Sequence, residues 1–439
     1  MKNKLLKLLL ARQAMEHLGL SPGEACSIAA GRRMVKIRVE EIDAGNGSGD
    51  GLTIDVGEEL GAVMGLPTGI RLNIIRSGKM LRLGPLVGVL AGRYSKERNS
   101  FGSQDGFFRS LLGSLDRLHG TGFIFCPPDV SSERKSIYAY YLSGKGDERW
   151  KRMDFPFPDV CYNRYFSQGG SPGSYNSIAL LARHGVKTFN KSIGSKWAVH
   201  RLLMPNSDVA AHLPETRLMD SVKVLAGMLK RHQEVYLKPP SGCKGKGIVR
   251  VSRKKKAYLV LTADGSSYFC RTAQEVLQKT RASIDSSMPI IQQSIRFAGH
   301  EQHTDFRVLV QKNRYNKWGV TGIAGRLGAN GRIITNLHAG GKAREHESAL
   351  LAMGFDPSQV VSIKGDLEDL ALRIAQIIDS KAQTLGELGL DFLVDTGGKV
   401  WFLEANPKPG RRSFREISQD LRQAAVSRPM EYACYLAGF

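Results

Sequence analysis

Asp391, Glu404 and Asn406, near the C-terminal end of the sequence, are three oxygen-bearing side chains with the spacing of a metal site. Asp391 lies in a predicted strand (389–395), and a Gly-Gly turn leads to a second predicted strand (400–406). Side chains two apart on a strand point the same way, so Glu404 and Asn406 should project together and the hairpin should place Asp391 beside them. Such ligands suit Mg²⁺, which is usually held by one or two carboxylates and substrate phosphates. The pattern therefore implies a nucleotide.

A solvated hairpin is the alternative interpretation of this segment, because Asp, Asn, Gly and Pro are common turn residues. However, the apolar run Val400–Leu403 leads directly to Glu404 and favours a buried strand that ends in polar groups. Strand ends are where α/β proteins bind ligands. We therefore expect a metal site.

Two lysines and a glycine-rich loop have the composition of a phosphate-binding site. Lys196 opens a predicted helix, Lys238 ends a predicted strand, and the loop 241–247 precedes a returning strand. Glycines let backbone N–H groups approach phosphate oxygens, and lysines neutralise the phosphate charge. The loop is neither a Walker A loop nor a dinucleotide fingerprint, because no Gly-Lys-Ser/Thr ends it and no helix follows. It is either an exposed hairpin tip or a flap over phosphates, and the hairpin downstream favours the flap.

Segments between these groups could complete a substrate site. The run 289–295 is predicted to be extended, and the strand 305–310 carries Asp305 and Arg307. We expect this pair to point outward and to form either a structural ion pair or part of a substrate site. Arg326 suits an acyl phosphate, because its planar fork matches phosphate oxygens.

The segment Thr335–Ala343 has the composition of a substrate loop. Asn336 and the Gly340-Gly341 turn fit that role. His338 could act as a general base, but an imidazole in a loop is more often a structural group, so we leave it outside the predicted site.

The first eighty residues contain an internal repeat. A helical segment with a Leu-Gly-Leu turn at Gly19 recurs as Met-Gly-Leu at Gly65, 46 residues later, and each copy continues into a strand, a glycine turn and another strand. Two such units should interlock into a small β-barrel over residues 1–83, unless the similarity arises by chance. The basic and apolar start, 1–12, resembles a signal peptide but lacks a cleavage site, so we expect an amphipathic helix there.

The middle of the chain, residues 84–187, is predicted to be a small α/β domain. Apolar strands are expected at 85–90, 122–126 and 159–164, with a helix at 107–118. Strands that alternate with helices imply a parallel layer.

Composition fits a large enzyme with two to four domains in 439 residues. No apolar run approaches the roughly 20 residues needed to cross a bilayer, so we expect no membrane span. Six scattered cysteines suggest reduced thiols in a cytosolic compartment. The formal charge of +22 is spread along the chain, and its densest cluster, Arg250–Lys256, is predicted to be a solvated turn. Without a nucleic-acid-binding motif, charge alone makes nucleic acid an unlikely partner.

The order of these segments resembles the ATP-grasp superfamily, whose members carry an Asp on one strand and Glu-x-Asn-x-x-Pro-Gly on the next. The combination of FNKSIGSKW, YLKPPSGCKGKGI, TDFRVLVQ, TNLHAGGKA and WFLEANPKPG resembles the YheC/YheD family of endospore coat-associated proteins, most specifically from about Thr188 to Phe414. The resemblance implies an α/β (α+β) multidomain protein, with an ATP-grasp domain at 188–439 that follows the barrel and the small α/β domain. It also implies a cytosolic protein of a spore-forming bacterium, located in the mother-cell cytoplasm or at the spore coat.

The resemblance implies roles for individual residues. The metal ligands for Mg²⁺ would be Asp391, Glu404 and Asn406, and the catalytic residues Arg326 and Lys238. The ATP-binding residues would be Lys196, Lys238, Gly242, Lys244, Gly245, Gly247, Gln292, Gln293, Ile295 and Glu301. In this family acidic residues are common near the ribose where Gln292 and Gln293 stand, which leaves Glu301 as a candidate. The substrate residues would be Arg307, Asn336, Gly340 and Gly341.

These roles imply a carboxylate-amine (or carboxylate-thiol) ligase that uses ATP and Mg²⁺ and forms an acyl phosphate. Its substrates would be small-molecule or peptide carboxylates and amines. The alternative is a non-catalytic, ATP-binding spore coat scaffold that associates with other coat proteins, and a nucleic-acid binder is a third class that rests on charge alone.

Overall fold

The protein is described from a computed structural model, which covers residues 5–42, 52–143, 149–166, 173–240, 247–284, 288–296, 304–328, 341–382 and 384–439. The fold is mixed α/β and divides into two compact units. Unit 1 comprises Met1–Lys191, Lys312–Lys317 and Val426–Phe439, and unit 2 comprises Ser192–Gln311 and Trp318–Ala425. Within these described ranges, no helix combines the length and apolar character needed to cross a bilayer.

The N-terminal sheet of unit 1 has six strands in the order β1-β3-β2-β6-β5-β4. Its strands are β1 Leu6–Ala11, β2 Ala25–Ala30, β3 Arg33–Ile42, β4 Thr53–Asp55, β5 Arg71–Ser77 and β6 Met80–Gly84, and its helices are α1 Arg12–Leu18 and α2 Glu58–Met64. Strand, helix, strand and strand therefore follow one another twice. Both helices end at a left-handed glycine, Gly19 at φ 61° and Gly65 at φ 67°. Closure of the sheet into a barrel stays a prediction.

The prediction of a helix at the N-terminal end was wrong, because Leu6–Ala11 forms strand β1. Leu8 and Leu10 are buried, whereas Leu9 between them is 54% exposed. This alternation has the period of a strand with one buried face. In so short an apolar run, the periodicity of a helix and that of a strand are hard to tell apart. The parallel pairing with β3 makes this segment a strand.

The second sheet of unit 1 has the order β11-β10-β8-β7-β12-β13, with β9 paired to β10. Its strands are β7 Leu86–Leu90, β8 Thr121–Phe125, β9 Val130–Ser131, β10 Ser136–Tyr141, β11 Lys151–Pro156, β12 Val160–Asn163 and β13 Lys187–Phe189, and its helices are α3 Asp105–Asp116 and α4 Gly173–Arg183. The pairs β7–β8, β7–β12 and β12–β13 are parallel, which confirms the parallel layer.

Unit 1 has hydrophobic clusters that join distant parts of the chain. One contains Leu8 and Ile28 of the first sheet together with Phe123 and Phe155 of the second. The two sheets therefore share a core. Independent folding of residues 1–83 and 84–187 as domains stays a prediction, since a shared core concerns packing alone.

The first sheet of unit 2 has the order β14-β19-β15-β16-β17-β18 and is antiparallel at each of its pairings. Its strands are β14 Thr216–Leu218, β15 Glu234–Lys238, β16 Val249–Arg253, β17 Tyr258–Thr262, β18 Ser267–Cys270 and β19 Ile290–Gln293. The accompanying helices are α5 Lys196–Leu203, α6 Ser207–Ala210, α7 Val222–His232 and α8 Ala273–Ile284. We call this the six-stranded sheet.

The second sheet of unit 2, the five-stranded sheet, has the order β22-β21-β20-β23-β24. Its strands are β20 Thr304–Lys312, β21 Trp318–Leu327, β22 Lys342–Glu345, β23 Glu387–Val394 and β24 Val400–Asn406. The helices that follow are α9 His346–Ala352, α10 Pro357–Ala382, α11 Arg412–Ile417 and α12 Gln419–Ala437, and the last part of α12 belongs to unit 1. Strands β23 and β24 confirm the predicted hairpin, whose turn contains Gly398 at φ 87°.

Candidate nucleotide and metal site

The β23–β24 hairpin brings the three predicted metal ligands together. Asp391 pairs with Glu404 and Gly389 pairs with Asn406, with an irregularity in register just after Asp391. The amide Nδ2 of Asn406 lies 3.4 Å from Oε1 of Glu404, so these two side chains share a face, as their spacing predicts. Because Nδ2 points to the carboxylate, Oδ1 of Asn406 is left as an acceptor.

Lys196 reaches the same hairpin from the start of α5. Its Nζ lies 3.3 Å from Oε2 of Glu404. The helix start is fixed in two ways: the Ser195 hydroxyl accepts a hydrogen bond from the Ala198 N–H at 3.1 Å, and the Lys196 N–H donates to the Pro240 carbonyl at 2.8 Å. A cap of this kind satisfies a backbone donor that the helix leaves unpaired. A lysine more than 200 residues before Glu404 is thereby held beside it.

Asp391 belongs to a row of alternating buried charges, Asp305, Arg326, Asp391 and Arg307, which we call the ion row. Nη2 of Arg307 donates to Asp391 Oδ2 at 2.9 Å, and Nε donates to Oδ1. Arg326 Nη2 lies 3.1 Å from Asp391 Oδ2, and this guanidinium also donates to both Asp305 oxygens at 2.5 and 2.7 Å. The row crosses three neighbouring strands, β21, β20 and β23.

The prediction that Asp305 and Arg307 form an outward pair was wrong. Every residue of β20 is buried, and Asp305 binds Arg326 whereas Arg307 binds Asp391. Residues two apart on a strand project from the same face of the sheet. Here Asp305 has its partner on one neighbouring strand, β21, and Arg307 has its partner on the other, β23. The bidentate geometry is the strongest arrangement of an arginine and a carboxylate.

The ion row fixes the charge state of its members. Burial would raise the pKa of Asp391, but the adjacent Arg307 and Arg326 outweigh it and lower that pKa to about 2. Burial likewise opposes the charge of Arg326, and the carboxylates of Asp305 and Asp391 more than compensate, so the pKa of Arg326 is raised. Both groups are therefore charged at neutral pH.

Lys238, at the end of β15, has a different environment. Its Nζ donates to Oε1 of Gln292 at 2.5 Å and lies 5.6 Å from the centre of the Tyr236 ring. Burial lowers the pKa of Lys238 to about 8; Glu404 and Asp391 counteract this decrease, and Lys196 adds to it. Gln292 is held in turn, because its Nε2 donates to Oγ1 of Thr216 at 3.1 Å.

The other predicted residues lie in several places. The Gln293 side chain accepts from the Glu215 N–H at 3.1 Å, on the strand edge away from Lys238, and Ile295 is buried. Gly247 is left-handed at φ 71°, and Gly341 is buried before β22. Six predicted residues lie outside the described ranges: Gly242, Lys244, Gly245, Glu301, Asn336 and Gly340.

The donor set of Asp391, Glu404 and Asn406 fits Mg²⁺ in its chemistry. Two carboxylates and an amide oxygen are hard oxygen ligands, and so small a set leaves positions for water and phosphate. The carboxylate of Asp391 accepts three contacts from Arg307 and Arg326, so most of its lone pairs are already used. Glu404 and Asn406 are the more available ligands. In the part of the chain that the structure covers, no group of three or more His, Cys, Asp and Glu side chains is clustered for a metal.

Sequence reasoning missed a second buried network beside the site. Glu387, the first residue of β23, binds Arg411 and Gln311. The signal that could have found Glu387 is an acid at the start of a strand in which, Asp391 apart, the other residues are apolar or glycine. No comparable signal marks Gln311 or Arg411.

A match to a family profile gives the class of this protein, which is an ATP-grasp protein. The sequence profile described as "YheC/D like ATP-grasp" matches residues 185–436, which is more than half of the 439 residues. The chain therefore belongs to the YheC/D-like ATP-grasp family.

Two proteins of Bacillus subtilis (strain 168) are similar over most of their length. The endospore coat-associated protein YheD is 29% identical over 399 residues, which is 88% of this chain and 86% of YheD. The endospore coat-associated protein YheC is 24% identical over 324 residues, 72% of this chain and 88% of YheC. Among solved structures, the D-alanine-D-alanine ligase from Coxiella burnetii is 12% identical with a TM-score of 0.46, covering 79% of this chain and 96% of the ligase.

Proposed function

We propose that this protein is an ATP- and Mg²⁺-dependent ligase that joins a carboxylate to an amine, or to a thiol, through an acyl phosphate. The observation that carries the proposal is the 3.3 Å approach of Lys196 Nζ to Glu404 Oε2. It joins one of the two predicted phosphate-binding lysines to the predicted metal hairpin. Each group alone has a structural explanation, but their meeting is what a site for a metal-bound triphosphate requires.

The lysines are assigned to the phosphates. Lys196 lies close enough to Lys238 to contribute to the low pKa of Lys238. Two neighbouring cations repel each other, and a bound phosphate would reduce this repulsion. Gln292 orients the Lys238 ammonium through its 2.5 Å hydrogen bond.

Glu404 and Asn406, with Asp391 behind them, are assigned to Mg²⁺. The ion, when bound, supplies charge neutralisation for the transferring phosphoryl group and orients it. Among the residues that the structure describes, one nitrogen of Arg326, Nη1, has no hydrogen-bond partner. Its guanidinium is held by Asp305, so Nη1 can bind a substrate or phosphoryl oxygen without a rearrangement.

The reaction that these residues support has two steps. An oxygen of the substrate carboxylate bonds to the γ-phosphorus of ATP as the bond to the β-γ bridging oxygen breaks, and ADP leaves. The amine nitrogen then bonds to the acyl carbon, the phosphate leaves, and the amine proton is lost, which gives the amide. Positioned charges carry these steps without a protein nucleophile.

The test is ADP release from Mg-ATP with pools of amino acids, short peptides and cell-wall fragments, followed by mass spectrometry of products. Glu404→Gln keeps the side-chain shape and removes a charge, so we expect no ADP release by that variant. Glu347→Gln is the matched control, because Glu347 is an acid on α9 whose side chain is 58% exposed. It should release ADP at the wild-type rate.

Binding gives an independent measurement. Mg²⁺ and ATP together should raise the melting temperature well beyond either alone, with about 2.7 kcal/mol gained at a hundredfold excess over the dissociation constant. Equal stabilisation by ATP with and without metal would remove the metal assignment. If the wild-type protein binds ATP but forms no ADP with any pool, and Glu404→Gln behaves like it in cells, a non-catalytic scaffold that associates with the spore coat is the better description.

A further inference from the structure

Arg411 lies directly after the turn that follows Asn406, and its side chain is only 8% exposed. Among the described residues, its guanidinium binds at least three groups. Nη2 donates to the fully buried carboxylate of Glu387, Nη1 donates to the Pro409 carbonyl at 3.1 Å, and Nε donates to the Ala425 carbonyl at 3.0 Å. One side chain thus ties together the turn after β24, the start of β23 and helix α12.

Gln311 supports this arrangement from β20. Its Nε2 donates to Glu387 Oε2 and to the Ala425 carbonyl, each at 3.0 Å. Its Oε1 accepts from the Thr321 hydroxyl at 2.7 Å. Glu387, Gln311 and Arg411 therefore form a connected buried network. Buried ion pairs contribute little net stability compared with apolar residues, but they can define one geometry.

The turn held by Arg411 packs against the candidate site. A Cβ added to Gly389 would lie 2.8 Å from Cβ of Pro409 and 3.3 Å from Nη1 of Arg307. Pro409 therefore sits over Gly389 and beside the arginine that binds Asp391. Gly389 is also the residue that pairs with Asn406. A shift of the turn would move Asn406 and disturb Arg307 together.

We propose that Arg411 is a positioning residue for the metal site, which fixes Asn406 and Arg307 through its bond to Pro409 without touching nucleotide or metal. This inference rests on the proposed function. Residues that orient metal ligands commonly affect metal affinity 10–100-fold. Loss of Arg411 should therefore weaken Mg²⁺ binding while leaving the lysine contacts to phosphate intact.

The experiment measures the melting temperature of the full chain at fixed ATP while Mg²⁺ is titrated. Arg411→Gln should raise the Mg²⁺ concentration for half-maximal stabilisation about tenfold or more, with the shift caused by ATP alone unchanged. Arg412→Gln is the matched control, because the neighbouring Arg412 is 49% exposed and forms a surface ion pair with Glu416 one helical turn further on. Arg411→Lys keeps a charge opposite Glu387, so it protects the fold, and it should show the same selective defect because an ammonium cannot reach all three partners.

A double-variant cycle separates positioning from a general loss of stability. If Arg411 acts through Asn406, Arg411→Gln added to Asn406→Ala should change the half-maximal Mg²⁺ concentration less than about twofold. A full additional effect would overturn the inference, as would wild-type Mg²⁺ dependence in Arg411→Lys and Arg411→Gln. A wild-type protein that gains nothing from Mg²⁺ and ATP together would instead overturn the proposed function, and this inference with it.

Discussion

The two sheets of unit 2 differ in the partners that their charged side chains have near the candidate site. In the five-stranded sheet, Arg307 and Arg326 alternate with two carboxylates in the ion row, and every charge has a bidentate or close partner. In the six-stranded sheet, the Lys238 ammonium donates to the neutral amide of Gln292. The first arrangement keeps its members ionised, whereas in the second, burial brings the pKa of Lys238 down to about 8.

This difference suggests different tasks. A balanced row of charges changes little when a ligand arrives, which suits a rigid platform behind a metal site. An undercompensated lysine gains most from an incoming anion, because the anion supplies the partner that the protein lacks. We therefore expect the ion row to govern stability and Lys238 to govern affinity for the nucleotide.

The largest effect is expected from breaking the ion row. Arg326→Met keeps the apolar stem but removes the two hydrogen bonds that the guanidinium donates to the buried Asp305. Removing one partner of a buried pair typically lowers the free energy of unfolding by roughly 3–5 kcal/mol, which urea unfolding would measure. Arg373→Met is the control, because Arg373 and Asp208 form an exposed pair, for which about 0–1 kcal/mol is usual. Similar losses in both variants would contradict the distinction.

Lys238→Met should weaken ATP binding without lowering the free energy of unfolding. The folded state disfavours the charged lysine, so its removal should leave the free energy of unfolding unchanged or higher at pH 7. A charged hydrogen bond contributes roughly 1.5–3 kcal/mol, and calorimetry should therefore show ATP affinity about 10–100-fold weaker. A variant that is destabilised as strongly as Arg326→Met would show that Lys238 is structural instead.

The low pKa of Lys238 also predicts a pH dependence with a definite sign. Below pH 8 the free protein carries the charge, and above it the ammonium loses its proton, so ATP affinity should fall as pH rises through about 8, by at most about tenfold per pH unit. The free energy of unfolding should instead increase as pH rises above about 8, because the lysine of the unfolded chain keeps its proton to a higher pH than that of the folded chain. Calorimetry in buffers of different ionisation heat should detect proton uptake on binding above pH 8. A flat affinity profile from pH 7 to 9 would refute this.

The smallest effect is expected from Gln292→Glu, which places a carboxylate beside the Lys238 ammonium, as carboxylates lie beside the arginines in the ion row. A carboxylate beside the ammonium should raise the pKa of Lys238 and move the decline in ATP affinity to higher pH. Gln293→Glu is the matched control, because the Gln293 side chain bonds to the Glu215 N–H and not to Lys238. An equal displacement of the pH profile in both variants would attribute it to the added charge alone.

The sequence predicts the parts of this site that depend on local order. The β23–β24 hairpin follows from an apolar run, a Gly-Gly turn and side chains two apart, and the structure contains it. The spacing of Glu404 and Asn406 is a property of any strand, so their contact was predictable. Lys196 at a helix start follows from a local capping residue, Ser195.

Features that depend on which strands become neighbours were not predictable. The partners of Asp305 and Arg307 are set by the order β21-β20-β23, and that order joins residues far apart in sequence. The same holds for Glu387 and Arg411. Strand β1 was mistaken for a helix because its pairing with β3, not its composition, decides its conformation.

The end of α12 has a consequence for how the protein is made. Met430 and Ala433 belong to the same hydrophobic cluster of unit 1 as Val87 and Phe108, more than 300 residues earlier. A ribosome adds about 5–20 residues per second, so the N-terminal part of unit 1 would emerge from it long before helix α12, which supplies the last packing partners. Unit 1 would wait through synthesis with an apolar surface uncovered, as a client for chaperones.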